Sequence, residues 1–209
     1  MDSPPPSRDL VVLVPDRNME AGFHGILVRP EALSIRSIDY QIFVHPDRDP
    51  GCFLRGHTFL VSQLRRFSTA LVIFDRVGCG REDRSRADLE AEVELRLRGT
   101  GWEDRAGAIC IDPELENWVW SNSPNVDSAL GWESRHPDLR SWLSTNGFLL
   151  PGVPKPSDPK MALEAALYEV RKPRSSSIYR KIAQEVSLVR CRDSAFRKLR
   201  ELLRTWFPR

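Results

Sequence analysis

The chain has 209 residues, of which 41% are hydrophobic and 29% charged, and this ordinary globular composition excludes collagen-like, disordered and coiled-coil proteins. The formal net charge of +2 hides an asymmetry, because residues 1–154 carry 17 basic and 23 acidic side chains whereas residues 155–209 carry 14 and 6. An acidic body with a basic tail is typical of proteins that bind nucleic acid or another acidic partner, although a solvated helical face has the same composition.

The first 112 residues alternate predicted strands with predicted helices. Residues 1–8 form a Pro/Ser-rich tail that we expect to be disordered. Continuous apolar runs predict strands over residues 10–14, 38–45, 70–74 and 108–111. Helices are predicted over residues 18–28, 57–67 and 85–97, with Asn18 and Ser85 as N-caps and with a Pro/Gly/Asp-rich loop over residues 46–56. Strands that alternate with helices predict a parallel sheet covered on both faces.

Beyond residue 112 the strand pattern ends and helices take over. A helix entered through Pro113 is predicted over residues 113–120, and a stretch rich in tryptophan follows it. Residues 150–158 read as a Pro-rich linker, and helices are predicted over residues 159–170, 177–186 and 194–206. The predicted organisation is therefore a tail (1–8), an α/β domain (9–122), a Trp-rich extension with its linker (123–154) and a basic helical C-terminal subdomain (155–209).

The location of the protein is limited by what the chain lacks. Its first residues do not have the charged and apolar regions of a secretory signal, and no apolar run approaches the roughly 18–20 residues that span a bilayer. The four cysteines are widely spaced and form no CxxC pair, so no disulfide framework is predicted. We therefore expect a cytoplasmic protein that has reduced thiols and no membrane partner.

Acidic side chains follow three of the four predicted strands. Asp16 follows the first strand with Glu20 close behind, Asp75 ends the third, and Asp112 precedes Glu114 and Glu116. The carboxyl ends of parallel strands meet at one edge of the sheet, where ligands bind. Carboxylates gathered there repel one another unless a cation neutralises them, and hard oxygen ligands suit Mg²⁺ or Mn²⁺. The alternative is that each carboxylate caps a strand end or a helix N-terminus.

Three segments resemble the motifs of the Toprim fold, which occurs in topoisomerases, primases and nucleases. They are VPDRNME, FDRVGCGRE and IDPELENWVW. The resemblance implies an open, mainly parallel sheet flanked by helices, a leading acid at Asp16 followed by Glu20, an aspartate at Asp75, and acids at Glu114 and Glu116. The chain departs from the family at Val77, which stands where the second aspartate of a DxD pair is expected. Either Glu82 or Glu116 replaces that ligand, or the site is degenerate.

The whole chain is also similar to a more specific group. The segments VVLVPDRNME, FVHPDRDPGC, FDRVGCGRED, DPELENWVW and KPRSSSIYRKIA resemble the small Toprim-like component of bacterial methylation-associated anti-phage defence systems. This resemblance implies a role in phage resistance, with other defence-system proteins as partners. It does not imply any one activity.

A second group of side chains could bind a metal of its own. His45, Asp47, Asp49, Cys52 and His57 fall within thirteen residues, and their types suit zinc, although their spacing matches no standard zinc site. A structural loop is the alternative. His45, at the end of the second predicted strand, could serve as a general base or be structural.

The basic C-terminal part contains a phosphate-binding pattern. The cations Lys172, Arg174, Arg180 and Lys181 surround Ser175 and Ser176 at a predicted helix start, where hydroxyls, backbone N–H groups and cations suit a phosphate. The alternative is an ordinary serine cap. In the last predicted helix Arg197, Lys198, Arg200 and Arg204 share one side, and in the earlier helix over residues 85–97 we expect Glu90, Glu92 and Glu94 to be solvated.

These patterns support three hypotheses of function. In the first, the protein is a metal-dependent nuclease or phosphoryl-transfer enzyme with Asp16, Glu20, Asp75 and Glu116 as catalytic residues. Its Mg²⁺ or Mn²⁺ ligands would come from Asp16, Asp75, Glu114 and Glu116, and the basic helices would hold DNA or RNA. In the second, a degenerate site leaves a non-catalytic subunit that docks a partner through exposed tryptophans and the basic tail. In the third, the protein is a sensor of nucleic acid or nucleotides.

Overall fold

The structure is a computed structural model that describes residues 6–209, and its centre is a sheet of four parallel strands. Within these residues the strand order is β2-β1-β3-β4. The strands are β1 (Arg8–Val14), β2 (Tyr40–Val44), β3 (Phe67–Asp75) and β4 (Ala106–Ile111). The predicted parallel α/β sheet is therefore confirmed. The disordered tail predicted over residues 1–8 was wrong at its end, because Arg8 is the first residue of β1, and residues 1–5 lie outside the described residues.

The central position of β1 and β3 explains their continuous apolar runs. Val12 of β1 is aligned with Ile42 of β2 on one side and with Leu71 of β3 on the other, and both valine and leucine are fully buried. A strand with a neighbour on each side and helices on both faces exposes neither of its faces, so alternation of polar and apolar residues is not needed.

Helices connect and cover the strands. Those up to the end of β4 are α1 (Arg17–Leu27), α2 (Pro30–Leu33), α3 (Arg48–Leu60) and α4 (Arg86–Leu97). The later ones are α5 (Glu116–Val119), α6 (Pro124–Leu130), α7 (Leu139–Thr145), α8 (Pro159–Glu169), α9 (Ser176–Glu185) and α10 (Ser194–Trp206). Single turns of 3₁₀ or π helix lie at Val61–Gln63, Arg98–Trp102 and Glu103–Arg105.

The two faces of the sheet are covered by different sets of helices. Val11 and Leu13 face a core built with α3 and α4, whereas Leu10 and Val12 face a larger core that includes α1 and the helices from α5 to α10. The domain boundaries predicted after residues 122 and 154 stay predictions. The packing nevertheless shows that the basic C-terminal helices share one hydrophobic core with the sheet.

Helix α3 replaces the loop that was predicted over residues 46–56. The helix starts at Arg48, so Pro50 occupies its first turn, where the missing N–H costs no intrahelical hydrogen bond. Gly51 is required next to His45, because a Cβ at this position would lie 2.1 Å from the His45 Nδ1 atom. The prediction was wrong because Pro and Gly commonly mark loops, whereas here they suit a helix start and a close contact.

The starts of two other helices also differ from the prediction. Asp16, and not Asn18, is the N-cap of α1, since its Oδ1 atom accepts hydrogen bonds from the backbone N–H groups of Asn18 and Met19. Helix α5 begins at Glu116 rather than at Pro113. The predicted N-cap Ser85 is confirmed, because its hydroxyl oxygen accepts from the Asp88 N–H.

Two glutamates that were expected in solvent cover the outer edge of β4 instead. Glu90 Oε1 accepts from the Cys110 N–H at 2.9 Å, and Glu94 Oε1 accepts from the Ala108 N–H at 3.1 Å. Lys198 of α10 donates to both carboxylates, at 3.0 and 2.7 Å. The expectation failed for Glu90, which is 3% exposed, because a carboxylate can satisfy the unpaired N–H groups of an edge strand.

The tryptophans that were expected to be exposed for docking are core residues. Trp120 and Trp132 are each 3% exposed, and their indole N–H groups donate to the Pro159 and Ala166 carbonyls of α8. Trp118 is half-buried and donates to Asp193. A large aromatic ring contributes most when it is buried with its N–H satisfied, so these residues anchor α8 and α10 rather than a partner.

Within residues 6–209, every helix is too short or too polar to cross a membrane.

Candidate acidic site

Carboxylates from the loops after all four strands gather at the carboxyl edge of the sheet. Asp16 follows β1, Asp49 lies in the first turn of α3 after β2, Asp75 ends β3, and the residues after β4 supply Glu114 and Glu116. Burial, and then repulsion from the other four carboxylates, raises the pKa of Asp75. The structure thus brings together the four side chains predicted as metal ligands, and it adds Asp49.

Asp75 has the most unusual environment of this group. Its Oδ1 atom is buried and has no hydrogen-bond partner among the described residues. Burial raises the pKa of Asp75 well above its usual value, and the neighbouring carboxylate of Asp49 raises it further. A buried carboxylate oxygen without a donor is costly unless a proton or a cation occupies it.

Asp49 is the site residue that the sequence analysis did not assign to this edge. Its Oδ1 atom accepts from the Asp75 backbone N–H at 2.8 Å, which ties the start of α3 to the end of β3. Burial raises the pKa of Asp49 to about 6, partly opposed by that hydrogen bond, and the Asp16 carboxylate raises it further. The signal that could have identified Asp49 is the DRD segment directly after the second strand.

Asp16 and Glu20 are arranged differently although they are four residues apart. The Oδ1 atom of Asp16 caps α1 through contacts of 2.8 and 2.9 Å. Glu20 instead accepts from the exposed Arg17 guanidinium at 2.8 Å, so its charge is paired at the surface. The catalytic role predicted for Glu20 stays a prediction.

Glu114 lies in the wall of an open groove of about 520 Å³. It is 9% exposed, and its Oε1 atom accepts from the Lys160 backbone N–H at 3.1 Å at the start of α8. Burial, and then repulsion from Glu116, raises the pKa of Glu114. The groove is formed by Val77, Pro113, Glu114, Ser157, Asp158, Pro159, Lys160, Met161 and Glu164.

Glu116 is already neutralised by a cation from the C-terminal helices. It is 3% exposed, and its Oε1 atom accepts from the Arg174 guanidinium and from the Tyr179 hydroxyl, the latter at 2.5 Å. Arg174 also donates to Glu164 Oε1 at 3.1 Å and to the Tyr179 hydroxyl at 2.8 Å. Arg174 was predicted to bind nucleic acid and Glu116 to bind a metal, and the structure pairs the two with each other.

The loop after β3 is closed by its own side chains. Glu82 Oε1 accepts from the Gly78 and Gly80 N–H groups at 2.8 and 3.3 Å, and backbone hydrogen bonds lower the pKa of Glu82. Arg76 donates to Asp112 Oδ1 at 2.8 Å. Val77, at the position of the missing aspartate, is 49% exposed and offers no ligand atom.

The second predicted metal group is divided among separate contacts. His45 is 4% exposed, its Nδ1 atom accepts from the Asp47 N–H at 3.0 Å, and its ring lies 5.4 Å from that of Phe59. Asp47 pairs with Arg55, and Cys52 is fully buried. Burial lowers the pKa of His45 and of His57, which favours the neutral imidazoles. The contacts of His45, Asp47 and Cys52 are those of structural residues, whereas the buried Nδ1 atom of His57 has no hydrogen-bond partner among the described residues.

The arrangement of the side chains limits metal binding at both places. Nowhere between residues 6 and 209 could a group of three His, Cys, Asp or Glu side chains hold a metal ion as they stand. The carboxylates at the sheet edge have the hard oxygen donors that Mg²⁺ and Mn²⁺ prefer, and Asp75 Oδ1 is uncommitted. The type of donor atom therefore fits these cations. A group of three ligands is not preformed, because Oδ1 of Asp16 and Oε1 of Glu116 already accept hydrogen bonds.

The four cations of the predicted phosphate-binding set lie in three different places, and its two serines lie at the start of α9. Arg174 lies at the acidic site, whereas Lys172 and Lys181 donate to the Ala129 carbonyl and the Ser128 hydroxyl of α6. Arg180 lies close enough to His24 to lower its pKa, after the larger effect of burial. Ser175 is the N-cap of α9, with Ser176 as the first helical residue, and the Ser175 hydroxyl lies 2.8 Å from that of Ser177. Arg174 is the cation of this set that contacts the acidic site.

Comparisons of the chain with protein-family models, curated proteins and solved structures found no match. The functional interpretation therefore depends on the geometry of this site and on the sequence motifs.

Proposed function

We propose that this protein is a Toprim-like component of a bacterial anti-phage defence system. With the help of a divalent cation it would cleave phosphodiester bonds in nucleic acid or transfer a phosphoryl group. The observation that supports the proposal most is the buried, unpartnered Oδ1 atom of Asp75, surrounded by four further carboxylates. A charge arrangement of this kind is costly by itself and becomes favourable when a cation enters.

The residues proposed to hold Mg²⁺ or Mn²⁺ are Asp16, Asp75, Glu114 and Glu116. The cation would supply charge neutralisation for the phosphate and would lower the pKa of a water molecule. The chain itself contributes the positions of the ligands. Asp49 holds the Asp75 backbone at 2.8 Å, the Lys160 N–H orients Glu114, and Arg174 orients Glu116.

Cleavage assays on the purified full chain test this proposal. We expect Mn²⁺-dependent cutting of labelled DNA or RNA, and Asp75→Asn should reduce the cutting rate at least about 100-fold, because removal of one charge-stabilising group commonly costs that much. The matched control is Asp104→Asn, since the Asp104 side chain is 96% exposed and precedes the first residue of β4, whereas the carboxylates of the site follow the strand ends. Cutting that persists in Asp75→Asn, or that falls equally in Asp104→Asn, would contradict the proposal.

The pair between Glu116 and Arg174 favours a second candidate, a non-catalytic subunit of a defence complex. A buried acid with a bound guanidinium and a hydroxyl donor has less need of a metal, and Val77 removes one further ligand. Titration calorimetry separates the two candidates. Heat from Mn²⁺ binding that disappears in Asp75→Asn supports the enzyme, and no heat together with stable co-purification of other defence-system proteins supports the subunit.

A further inference from the structure

The outer face of α8 presents large side chains beside the acidic site. Met161 is 55% exposed and Tyr168 is 86% exposed, and with Glu164 between them they follow the i, i+3, i+7 spacing of one helical face. An aromatic ring exposed to this extent gives up the stabilisation that burial would provide. The ring is therefore available to a partner.

Tyr168 stands beside a groove of about 630 Å³ at the C-terminal end of α8. The groove is formed by Leu167, Tyr168, Glu169, Arg171, Lys172 and Pro173. Two cations and one carboxylate make this end of α8 net positive, in contrast to the acidic groove at the other end of the same helix. A flat aromatic surface beside cations is complementary to a base and its phosphate.

Arg171 has a backbone conformation that glycine would favour. Its φ angle is 55°, in the left-handed region. The Arg171 N–H donates to the Tyr168 carbonyl at 3.0 Å and the Lys172 N–H donates to the Leu167 carbonyl at 2.9 Å, so Arg171 ends the helix at a position where glycine is usual. The exposed arginine side chain thus stands in the groove despite an unfavourable backbone conformation.

The two ends of α8 are connected through Arg174. Glu164 lines the acidic groove with Glu114, and it also accepts a hydrogen bond from Arg174. Three guanidinium N–H groups of Arg174 are engaged with Glu116, Glu164 and Tyr179, which leaves two of its five donors uncommitted among the described residues. A nucleic-acid strand that runs from Tyr168 along α8 would meet Arg174 and then Glu114.

We propose that the α8 groove binds single-stranded nucleic acid, with Tyr168 stacking on an unpaired base and Arg171 contacting a phosphate. A duplex is disfavoured because its bases are stacked on each other and cannot cover the ring. The path toward the acidic site rests on the proposed function, whose nucleic-acid substrate would then be single-stranded. The binding step itself needs no metal.

Fluorescence anisotropy with labelled 20-nucleotide single strands of DNA and RNA, measured in EDTA, tests the groove. Tyr168→Ala should weaken binding about tenfold, which is within the range measured for the loss of one stacked base, and Tyr168→Phe should bind as the original protein does. Because the ring is 86% exposed, its removal leaves the fold intact. The matched control is Leu95→Ala, which removes a side chain that is 67% exposed on α4, at the opposite face of the sheet.

Arg171→Gly separates binding from stability. The melting temperature should stay equal or rise, because glycine suits the left-handed position. Affinity should fall, and the slope of log K against log salt should become shallower by about 0.7, which corresponds to one lost phosphate contact on a single strand.

Equal binding by Tyr168→Ala, Arg171→Gly and the original protein would overturn the inference, as would tighter binding of a duplex or no binding of single strands. Single-strand binding that depends on Tyr168, in a protein that shows no Mn²⁺-dependent cutting, would leave the inference standing and remove the proposed enzymatic function.

Discussion

Asp75 and Asp49 show how a single backbone hydrogen bond ties two acidic residues from different elements to one edge of the sheet. The Asp75 N–H donates to Asp49 Oδ1, so the two acidic side chains are held at the same sheet edge where burial raises the pKa of each. One proton or one cation lowers the repulsion between them. The ionisation of this pair therefore affects both the stability of the fold and the affinity of the site for a cation.

Asp49→Asn should make the protein more stable at neutral and alkaline pH. The pKa of Asp49 is about 6 in the folded state and 3.8 ordinarily, so between these values the folded state binds more protons and the free energy of unfolding falls as pH rises. The variant avoids this loss. Its free energy of unfolding should exceed that of the original protein by about 1–3 kcal/mol at pH 8, and this difference should shrink toward pH 4. Urea denaturation in EDTA over this pH range measures it.

Asp104→Asn serves as the control for that series and should show no such pH-dependent gain, since its side chain is 96% exposed. A lower stability of Asp49→Asn than of the original protein at pH 8 would show that the hydrogen bond to the Asp75 N–H outweighs the cost of burying the Asp49 charge.

At the scale of elements, the contact between α1 and α9 joins the two ends of the chain. Gly25 allows the helices to approach closely, because a Cβ there would lie 2.7 Å from both the Ala183 Cβ and the Arg180 carbonyl oxygen. Arg29 then donates to the Ala183 and Val186 carbonyls at 2.7 and 2.8 Å, which satisfies the C-terminal end of α9. This contact positions α9, and with it Tyr179, over Glu116.

Gly25→Ala and Gly22→Ala should change stability in opposite directions. Both substitutions gain helix propensity, but the Gly25 variant must push two helix backbones apart and should lose about 1–3 kcal/mol of unfolding free energy. A Cβ at Gly22 meets its nearest atoms at 4.0 Å, so that variant should gain up to about 1 kcal/mol. Thermal and urea unfolding of the two variants measure these changes in stability. Equal changes in the two variants would show that the contact between α1 and α9 is not tight.

At the scale of the whole molecule, the C-terminal helices complete the core of the α/β sheet. Leu202 of α10 lies against β4, where a Cβ at Gly107 would be 2.6 Å from its Cδ1 atom, and Lys198 bridges the two glutamates that cover the β4 edge. The charge asymmetry between residues 1–154 and 155–209 therefore does not mark two independent bodies.

A chain that ends at Pro154 should not fold to the native state. It would expose the sheet face that α8, α9 and α10 cover, including the buried Leu71 and Ile109. We expect binding of a hydrophobic dye and the loss of a cooperative urea transition, measured by fluorescence and circular dichroism. Removal of Pro208 and Arg209, both exposed, is the control and should preserve the transition. Cooperative unfolding of residues 1–154 alone would contradict this expectation.

The sequence alone determined the parallel sheet and the edge at which the carboxylates meet. Runs such as LVVLV and ALVIF identify buried strands by local pattern, and strands that alternate with helices pair in parallel. The placement of Asp16, Asp75, Glu114 and Glu116 at one edge follows from that topology and needs no knowledge of side-chain partners.

The tertiary structure alone decided which partner each polar side chain has. The pair between Glu116 and Arg174 spans 58 residues, the contacts of Lys198 with Glu90 and Glu94 span 108 and 104, and Asp49 reaches Asp75 over 26. Local periodicity reveals which face of a helix is apolar but not which distant segment covers the other face. Solvation or burial of a charge depends on that distant segment, so the neutralised Glu116, the buried tryptophans and the dispersed basic residues became visible only in the folded chain.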